Sequence, residues 1–271
     1  MVALIDGIKV PNSLLGNLNE TNLDKANNSD LKSALEKDGY LFLRNIVDKK
    51  IIGNARHDIF KKLNEVDELS NPFNEGIASG RSIRDKLFND RGQFWENISN
   101  TKSLRAVAGG KFTHMHCDAG FFTRKTQKIL TCWLVFTEVT LDRGPLFIIE
   151  GSHKFRDIQE KYNDFDVDIH KNKKATIDIH PVEFAKKRNT KILTAEFKPG
   201  DALIFGMYTV HGTFENHAKD NKIRLTCDIR FQPKNEPKDP RYFGVKPGGT
   251  TGAGYGELNS ARPLNEDWHI R

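Results

Sequence analysis

Between about residue 112 and residue 233 the chain reads as a succession of short β-type runs cut by Gly, Pro and Asp, and this limits the folds open to it more than any other feature. The runs are 112–116, 129–139, 146–150, 192–197, 202–205 and 223–231, each enriched in β-branched and aromatic residues. Turn residues at 142–145 (Asp-Arg-Gly-Pro) and 199–201 (Pro-Gly-Asp) separate them. Many short strands after a helical preamble predict a mainly β chain, a barrel or jelly roll with α-helices packed outside it.

The preamble carries its own pattern. Ile51, Ile52, Ala55, Ile59, Phe60, Leu63 and Val66 recur at three- and four-residue spacings, which predicts an amphipathic helix over 48–66 covering one face of a sheet. Ser29 is placed to cap a shorter helix bearing Leu31, Ala34 and Leu35, and Gly39 to end it; a strand over 40–44 follows. The expected organisation is an irregular arm over 1–28 and a single domain over 29–245, divided into a helical preamble (29–111) and a β core (112–233). A Gly-rich tail (246–271) follows. Residues 151–191 read as a long charged insertion, and KPGGTTGAGYG (246–256) is too Gly-rich for regular structure.

Composition narrows the function classes. With 37% hydrophobic residues and 18 Phe among 271, the chain can bury a core, which a disordered polyelectrolyte could not. No apolar run approaches the roughly 20 residues of a membrane helix, and the N-terminus lacks a basic-then-apolar leader; an intracellular, cytoplasmic protein is expected. Three cysteines without a C-x-x-C pair fit a reducing compartment. The net charge of +6 is spread through mixed runs without interleaved aromatics, which argues against nucleic acid as a partner and favours a small, anionic substrate.

The chemistry-bearing residues begin with His116 and Asp118. Strand side chains alternate with period two, so an H-x-D pair at a strand end points both groups to one face. Two imidazoles and one carboxylate with open positions beside them suit Fe(II) that activates dioxygen. His211, just beyond the run 202–205, is the candidate for the second imidazole. Nine histidines make an H-x-D spacing common by chance; a turn histidine beside Gly212 is the plain alternative for His211, and His114 is read as an ordinary strand residue. The run 223–231 alternates strictly. Ile223, Leu225, Cys227, Ile229 and Phe231 form one face, and Arg224, Thr226, Asp228 and Arg230 the other. A surface strand would turn the polar face to water, whereas a barrel would turn it to a cavity. There Arg224 offers a planar two-pronged donor for a carboxylate, with Thr226 and Thr213 as added hydroxyl donors.

These pieces together resemble the phytanoyl-CoA dioxygenase family of Fe(II)/2-oxoglutarate oxygenases, from about Leu31 to Pro233. The matching segments are DGYLFLR (38–44), His116-x-Asp118, Trp133 within TCWLVFTE (131–138), GPLFIIEGSHK (144–154), PGD (199–201), HGT (211–213) and RLT (224–226). The resemblance implies a double-stranded β-helix, a jelly-roll, cupin-like fold. It implies iron held by His116, Asp118 and His211, with Arg224 on the distal carboxylate of 2-oxoglutarate and Trp133 and Thr213 near that co-substrate. Dioxygen would be consumed, succinate and CO2 released, and a C–H bond oxidised; an intact Asp118 favours hydroxylation or a related oxidation over halogenation. Family members carry a further helix and strand before the H-x-D pair. Here LRAVAGGK (104–111) runs almost directly into His114, which predicts a missing sheet edge or a shortened variant. Competing readings are a cupin-like Zn(II) hydrolase or isomerase, a non-catalytic relative that keeps only the pocket, and a nucleic-acid-modifying dioxygenase. The last is disfavoured by Thr226 standing where those enzymes have asparagine.

Overall fold

The computed structural model describes residues 2–23, 25–83, 104–110, 112–170 and 172–243. Two sheets dominate it. The five-stranded sheet has the order β4 (Tyr40–Leu43), β9 (Ala202–Gly206), β6 (Leu130–Val135), β11 (Arg224–Phe231), β5 (Leu104–Val107), and every neighbouring pair in it is antiparallel. The four-stranded sheet runs β10 (His211–Thr213), β7 (Leu146–Ile149), β8 (Ile192–Thr194), β3 (Leu15–Asn17). A small hairpin, β1 (Leu4–Ile5) with β2 (Ile8–Lys9), lies outside both.

The period-two alternation of each strand builds three layers. Trp133, Val135, Leu203, Phe205, Tyr40 and Phe42 of the larger sheet meet Leu146, Ile148 and Leu193 of the smaller one in a shared cluster. Phe197 stands edge-on to both Phe42 and Trp133 with ring centroids 4.9 Å apart, contacts that add about 0.5–1.5 kcal/mol each beyond burial. The intervening residues face outward. Cys132, Leu134, Ala202 and Leu225 pack under helix α2 (Lys49–Glu65) through Ile52, Ile59, Phe60 and Leu63. Phe147, Ile149 and Ile192 pack under α4 (Arg156–Asn163) and α5 (Pro181–Arg188). No helix among the described residues is long and apolar enough to cross a membrane.

The layered β architecture and the α2 helix, N-capped by Asp48, agree with the pattern read from the sequence, although Ile51 is exposed. Other elements differ. Helix α1 (Asn28–Asp38) is capped by Asn27, not Ser29: the Asn27 side chain accepts from Ser29 and Asp30 N–H groups, and Asp30 returns the bond to the Asn27 N–H. Gly39 ends it in the left-handed region at φ 81°. The 1–28 arm is not irregular, because β3 pairs in parallel with β8 and Ala3, Ile5 and Val10 are buried. The β3 residues Leu-Gly-Asn carry no β-branched or aromatic side chain to mark a strand in sequence. The sheet edge expected to be missing is present as β5, paired with β11, so β4 and β5 carry the larger sheet into the supposed helical preamble. The run 112–116 forms only a bridge at His116, and the charged stretch 151–191 contains α4 and α5, whose Ile158, Tyr162, Val182 and Phe184 are core residues. The Gly-rich tail lies outside the described residues.

A candidate metal centre between the two sheets

His116 and His211 are partners in an isolated antiparallel bridge, each N–H donating to the other's carbonyl at 2.9 Å. Residues opposite each other in such a pair project from the same side, and the two rings lie 4.3 Å apart between centroids. Two residues on, Asp118 leaves the extended run as the N-cap of the short helix α3 (Ala119–Phe122), at φ −76° and ψ −11°. Cys117 between them is buried in the core and stands outside the ligand group; burial pushes its thiol up to about 12.

The histidine tautomers follow from the geometry. Nδ1 of His116 lies 2.7 Å from the His114 carbonyl and Nδ1 of His211 2.9 Å from the Thr209 carbonyl. A carbonyl can only accept, so both Nδ1 atoms carry a proton and the Nε2 atoms are the ones turned to the centre. Those Nε2 atoms stand 3.6 and 3.8 Å from Asp118 Oδ1, too far for hydrogen bonds, with the three donors within 4.8 Å of one another and all three residues buried. The group can therefore hold one metal ion. Burial, then the neighbouring His116, pushes His211 down to about 4, so it is a neutral donor at physiological pH.

Asp118 is held from behind. Its Oδ2 accepts from Thr131 Oγ1 at 2.5 Å and from Arg230 Nη2 at 3.4 Å, leaving Oδ1 toward the histidines. Burial would raise this carboxyl, but the Arg230 charge and the histidine pair outweigh it and hold it well below its ordinary value. Two imidazoles and a carboxylate make a donor set that fits Fe(II) with positions left open.

The three residues open onto a small, partly open cleft between the two sheets. Of the other residues singled out in the sequence, Trp133, Thr213 and Arg224 line it. Arg224 is 1% exposed and donates through Nη1 to the Gly144 carbonyl. Thr226 shares their strand face but is fully buried and does not line the cleft. Its hydroxyl is buried with no hydrogen-bond partner among the described residues. Sequence reading overlooked Thr113 and Thr131. Thr113 N–H donates to Thr213 Oγ1 at 2.7 Å, and Thr131 faces Arg230 across the β6–β11 register, a pairing that composition alone does not disclose. Asp228 and Arg230 also line the cleft, as the strict alternation of β11 could have indicated.

The layered β fold and a buried His-Asp-His group that could hold a metal ion fit an enzyme of the oxygenase type. A family model described as phytanoyl-CoA dioxygenase (PhyH) matches residues 44–224, well over half of the chain. The protein belongs to the phytanoyl-CoA dioxygenase family. Solved structures with a similar course include the non-heme alpha ketoglutarate dependent carbocyclase SnoK from nogalamycin biosynthesis, at 12% identity and TM-score 0.49, covering 91% of this chain and 95% of that one. The epimerase SnoN from the same biosynthesis is similar at 16% identity and TM-score 0.48, covering 81% of this chain and 91% of its own. EvdO2 from Micromonospora carbonacea var. aurantiaca follows at 15% and 0.43, covering 80% and 96%.

Proposed function

We propose that this protein is an Fe(II)/2-oxoglutarate-dependent dioxygenase that oxidises a C–H bond of a small organic substrate, with iron on His116, Asp118 and His211. One observation carries the reading: three buried ligand side chains and the buried Arg224 guanidinium open into one cleft between the two sheets. Bound there, iron and 2-oxoglutarate would supply the oxidising power of dioxygen, with succinate and CO2 as by-products.

The protein's own residues bind, orient and exclude water. Arg224, anchored on the Gly144 carbonyl from the wall of β11, is the partner for the distal carboxylate of 2-oxoglutarate. Thr213, which lines the cleft, is a further donor toward it. Trp133 closes the wall between Asp228 and Leu203, its cross-strand neighbours, and keeps that side dry. The excess of basic over acidic residues supports an anionic substrate.

The test is anaerobic addition of Fe(II) and then 2-oxoglutarate to the purified protein. A weak visible charge-transfer band is expected in the wild type and lost in Asp118→Ala. Absence of the band, together with no succinate formed in air, overturns the proposal.

A further inference from the structure

We propose that Tyr242 is a positioning residue for Asp118, acting through Phe122 and Arg230; the inference rests on the metal reading above. Arg230 touches Asp118 at 3.4 Å, longer than the roughly 2.7–2.9 Å of a strong charge-assisted hydrogen bond. A contact that long does not by itself fix an arginine, whose free side chain carries about 2 kcal/mol of rotamer entropy. Its Nη1 also donates to the Asp228 carbonyl at 3.4 Å, and ring packing adds to these long contacts. The Arg230 guanidinium carbon lies 4.1 Å over the Phe122 ring, and Tyr242 packs against that ring at 5.0 Å between centroids, nearer than Phe121 at 6.1 Å. The Tyr242 hydroxyl donates to the Phe121 carbonyl at 2.8 Å. Residues 239–243 thus bear on α3, the helix that Asp118 begins.

This segment is itself clamped. Arg241 donates to Asp168 and to Asp239, both at 2.6 Å, and Arg124 donates twice to Asp166 at 2.6 Å. The chain after β11 is thereby tied to the stretch 166–168, and Tyr242 is held against Phe122. The consequence reaches the metal: with Arg230 parked on a supported ring, Asp118 Oδ2 stays engaged and Oδ1 alone faces the two histidines.

Removing Arg230 itself mixes two opposed effects, a loosened carboxylate and the loss of a like charge beside a dication, so the informative changes are uncharged. Mn(II) dissociation constants are to be measured anaerobically for wild type, Tyr242→Phe, Tyr242→Ala and Tyr242→Leu, each also in an Arg230→Ala background. The flat ring is the support, so Tyr242→Phe should weaken binding less than about 3-fold. Tyr242→Ala should weaken it about 10-fold, the lower range for residues that orient ligands. In the Arg230→Ala background the same change should cost less than about 2-fold. Tyr242→Leu, which keeps apolar bulk but not the flat face, reads the same quantity if the alanine variant melts below the assay temperature. Equal losses in both backgrounds, or none in either, overturn the proposal. A wild type that binds no Mn(II), or an Asp118→Ala variant that binds it equally well, instead sinks the metal reading and this inference with it.

Discussion

His116 and His211 are joined backbone to backbone, each donating to the other at 2.9 Å, so the two imidazoles of the centre are set by one antiparallel pair rather than by two independent loops. The pair needs β10 pressed close to its neighbours, and Gly212 permits it. A Cβ there would lie 2.8 Å from Phe147 Cζ and 2.9 Å from the Thr113 carbonyl oxygen. Phe147 is fully buried and the carbonyl belongs to backbone, so neither can yield.

Gly212→Ala should therefore displace β10 and cost about 1–3 kcal/mol of stability, the usual toll of overpacking. Metal affinity should fall with it, because the pairing of His211 with His116 is disturbed. Urea midpoints and Mn(II) titrations on the same preparation check both. A variant with unchanged stability and affinity would mean that β10 is not held by this contact.

Thr131→Val deletes the hydroxyl that donates to Asp118 Oδ2 at 2.5 Å while keeping the side-chain shape. A buried carboxylate oxygen then lacks its shortest donor, at a cost of about 1–3 kcal/mol. With the carboxylate freer to turn, metal binding should weaken roughly 10- to 100-fold. Thr131→Ser, which retains the donor, should recover most of the loss, and the comparison separates a lost hydrogen bond from lost packing.

How much of this could be read in the sequence follows from the length and locality of each signal. Helix α2 announces itself because seventeen residues carry several turns of period and Asp48 caps it. His116 and Asp118 were visible as an H-x-D spacing within three residues, although the expected strand is only a bridge at His116 and Asp118 is the N-cap of α3. Strands β3, β5 and β10 were hidden because LGN, LRAV and HGT hold few β-branched or aromatic residues, whereas the equally short β4, β7 and β8 (YLFL, LFII, ILT) are rich in them. The apolar face of β11 was overextended: Ile223 and Leu225 lie in the cluster under α2, but Ile229 and Phe231 are exposed where the strand runs past that cluster. Thr131 and Tyr242 were out of reach for another reason. Their partners, Asp118 and Phe122, are supplied by register and by the docking of a distant segment, and no local pattern encodes either.

The protonation of His211 gives the metal-free protein an acid limit. An unfolded histidine takes up its proton near pH 6.5, while burial and then His116 hold His211 at about 4 in the fold. Between those values the unfolded chain binds a proton that the folded chain does not. Stability is thus full above the unfolded value, is lost as pH falls through that window, and levels off below the folded value. At about 1.4 kcal/mol per pKa unit the loss amounts to roughly 3 kcal/mol. Asp118, held below its ordinary value, contributes stability that is also lost toward acid, at lower pH. Urea midpoints between pH 7.5 and 4 should fall more steeply for the wild type than for His211→Gln; parallel slopes would refute the assignment.

Arg224 separates the oxygenase from a zinc hydrolase on the same three ligands, because only the oxygenase gives this guanidinium a carboxylate to bind. The residue is 1% exposed, lines the cleft and is anchored on the Gly144 carbonyl. Arg224→Lys keeps the charge and loses the two-pronged geometry; Arg224→Ala leaves a desolvated carboxylate without its partner. Truncating such a pair costs on the order of 2–5 kcal/mol, or about 30- to 4,000-fold in affinity. The 2-oxoglutarate concentration at half-saturation should rise within that range for the alanine variant and by less for lysine. Metal affinity measured without 2-oxoglutarate should stay within a few-fold of wild type, since none of the three ligands is touched. Both variants also strip a donor from the buried Gly144 carbonyl, so a melting curve must accompany each titration. A variant that stays folded, binds metal normally and still binds 2-oxoglutarate as the wild type does would remove Arg224 from the co-substrate site, leaving the three ligands without the feature that favours oxygenase over hydrolase.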